Sequence, residues 1–435
     1  MRSVNRGYPI QHFNLASSVV GVAILCTAAC SNLTAVSAPD ITQPSDLDTP
    51  QGAIARAAGA TRAFAGAFGL QVFTAGLISD ELSDLSGSSQ ADRRKLSLQL
   101  GEYPYQGLST ARMSALRAIS SLQAYQRQPL SNIGELFADV GIVEILFAEN
   151  MCSGVPLGQY QGQTPIYGVP ETRSQLIQQG LMDLDSAVAY AGASDSILNL
   201  VRVIRGRALL DSNDFAAAAR AVDSVPGTFV YLVDYAPGGG AQTNAIAQEI
   251  SIANSATVSD NEGLNGLPFI SGNDPRVSVV QVGTSASGVP IFNYTPDSVP
   301  ASPLILASGI EAQLITAEAD LRAGNVQQWS SILNSLRATA ASVPLQPLPA
   351  DSTTSAAAEL RTTVHFRERA FWLFLTGHRH GDMRRLIRQF GRPTESVFPT
   401  GLYEGGPSQY GASTVFFPVG EQFNPHFTNC ENVSP

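Results

Sequence analysis

The sequence predicts an all-α protein, built as a scaffold of helix pairs and broken by a long, irregular, loop-rich insertion with little β structure. Three observations predict it. Apolar residues recur at helical spacing over many separate stretches. Two of these stretches, Gly206–Val225 and Ala317–Leu336, share one pattern of helix, tight polar turn and helix. Between Pro226 and Pro303 that period stops, and Gly, Pro, Ser, Asn and Asp take over.

Gln51–Phe68 is Ala-rich with apolar positions at period 3.6, which predicts a first helix. Leu108–Tyr125 places Leu108, Ala111, Ala115 and Ile119 on one side. Ile133–Met151 is apolar all round, as a buried helix is. Glu171–Ala191 starts directly after Pro170. Leu198–Leu210 and Asp214–Val225 pair up and stop at Pro226; Leu304–Ala323 and Val326–Ala338 form a second pair. Ala356–Leu375 and His378–Phe390 complete the series, and an irregular segment rich in Gly, Pro and aromatics runs from about 392 to 435. In the two repeated pairs Asn213-Asp214 and Gly324-Asn325 sit at the turns, where the backbone needs residues that tolerate a left-handed conformation. Ala208 and Ala319 are expected at the packing seam, where small side chains let helices approach. This is the tetratricopeptide style of helix pair, and such pairs bury their apolar faces only by stacking. Within the insertion, Val277–Val282 is a β-branched run.

Hydrophobic residues make up 44% of the 435 and charged residues 14%, which excludes a chain disordered throughout. A chain of this length buries about three quarters of the surface its unfolded form exposes, so its core needs no staples. The net charge of −10 opposes binding to nucleic acid or to an anionic membrane surface. Lys95 is the only lysine, so no phosphate loop of the Walker type occurs elsewhere.

Arg2 and Arg6 precede an uncharged stretch from Leu15 to Ala29, too short to span a bilayer and suited to a secretory signal. Ala28 and Ala29 before Cys30 fit lipoprotein processing, with Cys30 as the lipidated first residue; ordinary cleavage without lipid is the alternative. This divides the chain into a signal peptide (1–29), a flexible tether rich in Ser, Thr, Asp and Pro (30–50) and a single helical domain (51–435). Two cysteines remain in that domain, Cys152 and Cys430. They fit either one disulfide across a very long loop or two separate buried thiols.

The C-terminal third resembles the SusD/RagB family of surface lipoproteins. Glu311, Leu314, Ile315, Ala317, Glu318, Ala319, Gly324, Asn325, Leu333, Asn334, Leu336 and Arg337 match one family motif in order. Glu368, Arg369, Leu373, Gly377, Arg379, Asp382, Arg384 and Arg385 match a second, with Trp372 and Thr376 replacing two family glutamates and Met383 a leucine. Pro418 and Glu421–Pro425 follow a third motif one residue short, and Asn273–Arg276 is similar to a turn of the family's insertion.

The resemblance implies a non-enzymatic protein at the cell outer membrane, lipid-anchored and surface-exposed. It would capture an oligosaccharide, or a peptide, and deliver it to a TonB-dependent, SusC-like barrel. A tetratricopeptide-type protein adaptor is the alternative. No cofactor or metal is expected: HExxH, GxSxG and GxGxxG motifs are absent from suitable contexts, and His378 and His380, two apart, diverge on a helix. Sugar binding calls for flat rings in loops with polar companions. The loop aromatics are Tyr103, Tyr105, Tyr160, Tyr167, Tyr235, Phe269, Phe292 and Tyr294. Of these, Tyr103, Tyr105 and Phe269 are flanked by polar residues and Gly, and Asp80, Glu81, Asn265 and Asn273 are the polar companions. The candidate ligand-binding set is Tyr103, Tyr105, Phe269, Asp80 and Asn273. Glu368, Arg369, Arg379, Asp382 and Arg385 alternate in sign around Gly377 and are expected to form a structural ion-pair network. Glu318 is expected to cap or pair locally.

Overall fold

Thr49 turns the chain into its first helix: its hydroxyl accepts a hydrogen bond from Gly52 N at 3.0 Å, and Pro50 takes the first helical position. The structure, a computed structural model, describes residues 47–99, 104–162, 164–237, 243–286, 288–340, 344–349, 358–403 and 406–435. The signal segment and Cys30 lie outside the described residues, as does Tyr103.

The helices are α1 (Pro50–Ile78), α2 (Pro104–Tyr125), α3 (Leu130–Asn150), α4 (Arg173–Tyr190), α5 (Asp195–Asp211), α6 (Phe215–Val222), the short α7 (Ala245–Ala247, continued by one π turn), α8 (Gly309–Ala323), α9 (Val326–Ala338), α10 (Ala358–Trp372) and α11 (Arg379–Phe390). The strands are β1 (Leu82–Asp84), β2 (Val155–Pro156), β3 (Gln159–Gln161), β4 (Thr164–Ile166), β5 (Pro170–Glu171), β6 (Val230–Val233), β7 (Ala256–Val258), β8 (Val279–Thr284), β9 (Pro290–Tyr294) and β10 (Leu304–Ser308). Among the described residues they form only two-stranded antiparallel sheets, β1–β7, β2–β5, β3–β4, β6–β10 and β8–β9. The protein is mostly helical, as the periodicity predicts.

Asp48–Pro435 packs as one unit. Within it α1 pairs with α2, α3 with α4, α5 with α6 and α8 with α9, and one large apolar cluster runs through most of these elements. The α3–α4 crossing is set by two glycines. A Cβ on Gly141 would stand 2.8 Å from Gly180 O, and one on Gly180 would stand 2.9 Å from Gly141 O, so neither position tolerates a side chain. At the α5–α6–α8 seam, Ala208 is buried and Ala319 only half-buried. The closest approach there belongs to Gly206, whose Cβ would meet Val222 and Ile315. The turns use the expected backbone: Asn213 has φ 64° and Gly324 φ 78°.

Most helix boundaries shift by a few residues, and two shift furthest. Helix α1 runs ten residues past Phe68, because its last turns are buried nearly all round and carry no amphipathic period to read. Leu304–Ser308, expected as the start of a helix, is strand β10. Ser308 caps α8, accepting from Glu311 N at 3.1 Å, and so stops the helix from extending back through the apolar run.

Cys152 and Cys430, 278 positions apart in sequence, are joined by a disulfide with Cα atoms 6.0 Å apart. It fastens the C-terminal tail to the residues after α3, where Ser153 and Asn432 also bridge. By loop entropy such a crosslink stabilises the chain by up to about 5 kcal/mol. Reduction should lower the free energy of urea unfolding by several kcal/mol without changing the native fold. Thiol titration of the denatured chain should rise by the two sulfurs of this bond when reductant is added.

Candidate functional site

Helix α1 is followed by Ser79, Asp80 and Glu81, none of which is exposed. From that end, β1 pairs with β7 in the register Leu82↔Val258 and Asp84↔Ala256. The β8–β9 hairpin then docks on β7, with Phe292 N donating to Thr257 Oγ1 at 2.9 Å. The loop after β7 folds over this platform. Ser259 N donates to Glu81 O at 3.0 Å, and Leu267 N to Asp80 Oδ2 at 2.9 Å. Asp260 Oδ1 accepts from both Ile270 N and Ser271 N at 2.9 Å.

These elements enclose a groove of about 630 Å³, in the range of small-ligand sites. Its walls include Ser83, Leu85, Thr257, Asn261, Leu264, Ile270, Val289, Phe292, Leu402 and Tyr410. Phe292 and Tyr410 are half-buried rings, whereas Leu264 is 81% exposed at the rim. Glu262 is buried in the wall; its Oε2 accepts from Ser259 Oγ at 2.8 Å and its Oε1 from the Tyr410 hydroxyl at 3.1 Å. Burial, reinforced by the Asp92 charge, pushes its carboxyl well above the usual range.

The residues expected to bind ligand are placed differently. Tyr105 is core: its ring packs 5.4 Å from Phe147, and its hydroxyl lies 2.7 Å from Glu421 Oε1 and 2.9 Å from Pro156 O. Phe269 is wholly buried between Phe371 and Phe374, at 5.2 and 4.7 Å. Asp80 is also buried, held by Arg379 through bonds of 2.6 and 2.8 Å, and it positions the groove loop instead of facing solvent. Asn273 is exposed, but it bonds Ser271 O and does not line the groove. Polar flanks marked Tyr105 and Phe269 as surface; tertiary burial overrode that local signal. Phe292, among the loop aromatics, does line the groove. Tyr410 was missed because it lies in the C-terminal segment, although Gln409 and Gly411 flank it just as polar residues and Gly flank the chosen rings.

The alternating charges on α10 and α11 form a buried network. Asp382 accepts from Arg369 at 2.7 and 3.0 Å and from Arg385 at 2.7 Å. Arg385 also grips Glu318 on α8, 67 residues away, so Glu318 pairs across helices and not locally. Glu368 binds Arg276 and Arg337, and the Arg276 guanidinium lies 5.2 Å from the rings of Phe371 and Trp372. Trp372 thus receives a cation through its face. Glu311 takes Arg207 at 2.8 Å and His378 at 2.9 Å; burial raises its carboxyl, but these partners outweigh that and pull it down to about 2. Among the described residues, no group of three or more His, Cys, Asp or Glu side chains is arranged to hold a metal ion.

This architecture recurs in solved structures. A SusD superfamily protein of Bacteroides vulgatus matches at 13% identity over 88% of this chain and 99% of its own, with a TM-score of 0.66. The chain has the SusD fold. A SusD superfamily protein of Bacteroides fragilis matches at 14% identity over 85% of this chain and 96% of its own, with a TM-score of 0.62. A SusD-like carbohydrate binding protein of Bacteroides vulgatus matches at 13% identity over 77% and 83%, with a TM-score of 0.53. No family model matches the sequence, and no curated protein matches it.

On this SusD scaffold, Glu81 offers a direct test of how the groove loop is anchored. Its Oε1 accepts from Leu375 N at 3.0 Å, and burial pushes its carboxyl from 4.5 up to about 8. The folded state therefore holds this proton more tightly than the unfolded chain. The associated stability is complete below pH 4.5 and is lost as pH rises through about 8. Glu81→Gln should match wild type in urea midpoint at acid pH and exceed it by a margin that grows up to about pH 8 and then levels off.

Proposed function

We propose that the chain is a binding protein of the SusD kind, which captures an oligosaccharide in the groove beside β7 and passes it to a TonB-dependent, SusC-like barrel. In this reading it does no chemistry on its ligand, and a lipid on Cys30 holds it at the outer membrane, facing outward. The observation that carries the reading is the groove of about 630 Å³ with two half-buried rings, Phe292 and Tyr410, in its wall. Sugar C–H faces stack on such rings, and hydroxyl and amide groups at Ser83, Thr257 and Asn261 suit sugar hydroxyls. That the same fold occurs in a protein described as carbohydrate binding supports it. A peptide ligand is the second reading, favoured by the apolar rim of Leu264, Leu402 and Val289, which are 81%, 53% and 44% exposed.

The full chain should retain neutral oligosaccharides on a glycan array. Tyr410→Ala should weaken a retained glycan about tenfold, roughly the worth of one stacked ring, while Tyr410→Phe, which keeps the ring, should bind as wild type does. Retention of apolar peptides with no glycan would transfer the groove to the second reading. Purification from detergent-solubilised outer membranes should bring down a TonB-dependent barrel in stoichiometric amount. Soluble partners in its place would favour an adaptor.

A further inference from the structure

Away from the β7 groove, four helix ends meet around a polar hollow of about 420 Å³. The N-terminus of α4 contributes Arg173 and Ser174, the α5–α6 turn Ser212 and Asn213, the end of α8 Arg322, and the end of α11 Arg388. Three guanidinium groups therefore converge in a chain whose net charge is −10.

Among the described residues, one carboxylate forms ion pairs with them. Arg173 Nη2 and Arg388 Nη2 both reach the same oxygen, Asp211 Oδ1, each at 2.9 Å. This leaves Arg173 Nε and Arg388 Nη1 without hydrogen-bond partners, both shielded from solvent. Arg322 has no carboxylate partner among the described residues. Its guanidinium is sandwiched 4.8 Å from the ring of Phe215 and 4.8 Å from that of Phe390, which fixes its position while leaving its N–H edge available. Behind the hollow a fourth guanidinium, Arg384, is buried against the carbonyls of Ala148 and Glu149.

The helix ends account for part of this charge. Arg173 Nη2 and the Gln389 amide bond the final carbonyls of α5, and Arg322 and Arg388 sit in last turns, where cations are favoured. They do not account for the convergence of all three on one solvent-reached hollow, into which the positive end of α4 also opens. Burial, together with the neighbouring charges of Arg173 and Arg385, pulls the Arg388 guanidinium down to about 10 despite Asp211, as expected where cations outnumber anions.

We propose that this hollow binds an oxyanion, the carboxylate, sulfate or phosphate group of a small ligand, with Arg322, Arg173 and Arg388 as its donors and Ser174 and Asn213 at its mouth. A planar fork matches an oxyanion in two bonds, and the exposed guanidinium of Arg322 offers such a fork, with Arg173 and Arg388 adding positive charge beside it. This site shares no residue with the β7 groove and does not depend on what that groove binds.

The test is isothermal titration of the full chain with inorganic sulfate, inorganic phosphate and glucuronate, each at ionic strength held constant with sodium chloride. At least one should bind saturably at one site; which of the three does so separates a free inorganic anion from an acidic sugar. Arg322→Gln should weaken it about tenfold or more, the worth of one charge-assisted hydrogen bond. Ser174→Glu places a carboxylate in the mouth and should abolish binding. Because a glutamate at the second position of a helix is favoured, that variant should melt no lower than wild type, so its loss of binding cannot be ascribed to misfolding. Absence of saturable binding for all three anions would overturn the proposal, as would a Ser174→Glu variant that binds like wild type.

Discussion

Burying a charge is tolerable only beside its opposite, and in this protein that constraint links the helices to one another. Glu318 and Glu311 on α8, Arg207 on α5, Arg369 on α10, and Asp382 and Arg385 on α11 are all almost free of solvent contact. Removing any one member strands its partner in a medium that cannot solvate it, at a cost of several kcal/mol. The mutual position of α5, α8, α10 and α11 is therefore defined by side-chain geometry. An apolar interface of the same size leaves more freedom of register.

The groove depends on the same network. Arg379, one residue into α11, holds Asp80, and Asp80 in turn accepts the amide of Leu267 in the loop that covers β7. The groove wall is thus suspended from an ion pair between α1 and α11, and Glu81 adds a second link through Leu375. Irregular loops are ordinarily the mobile part of a protein. Here backbone groups of the loop end on the buried carboxylate of Asp80 and the half-buried one of Asp260, which hold it as a fixed wall.

The two concave regions differ in the chemistry they offer. The β7 groove has aromatic and aliphatic walls with a buried acid, which suits ligands that present C–H faces and hydroxyls. The hollow at the ends of α4, α5, α8 and α11 is polar and cationic, which suits an oxyanion. One fold therefore separates an apolar concave surface on its insertion from a charged one on its helical frame.

The helical frame, the turn residues Asn213 and Gly324, and the alternating charges of α10 and α11 are all legible in the amino-acid order alone. Each is a local property: a period of 3.6, a left-handed backbone position, or signs spaced along adjoining helices. It also exposed the even pair Cys152 and Cys430, though not the bond between them. Which rings face solvent was decided only by the tertiary structure. Tyr105 and Phe269 have the flanks of surface residues, yet one closes against Phe147 and the other between Phe371 and Phe374, partners far away in the chain. Asp80 likewise reads as a loop acid and becomes a buried anchor because Arg379, 299 residues later, folds back onto it. The long-range partners of a side chain set its burial, and burial converts the same residue from ligand contact to core; no local pattern carries that information.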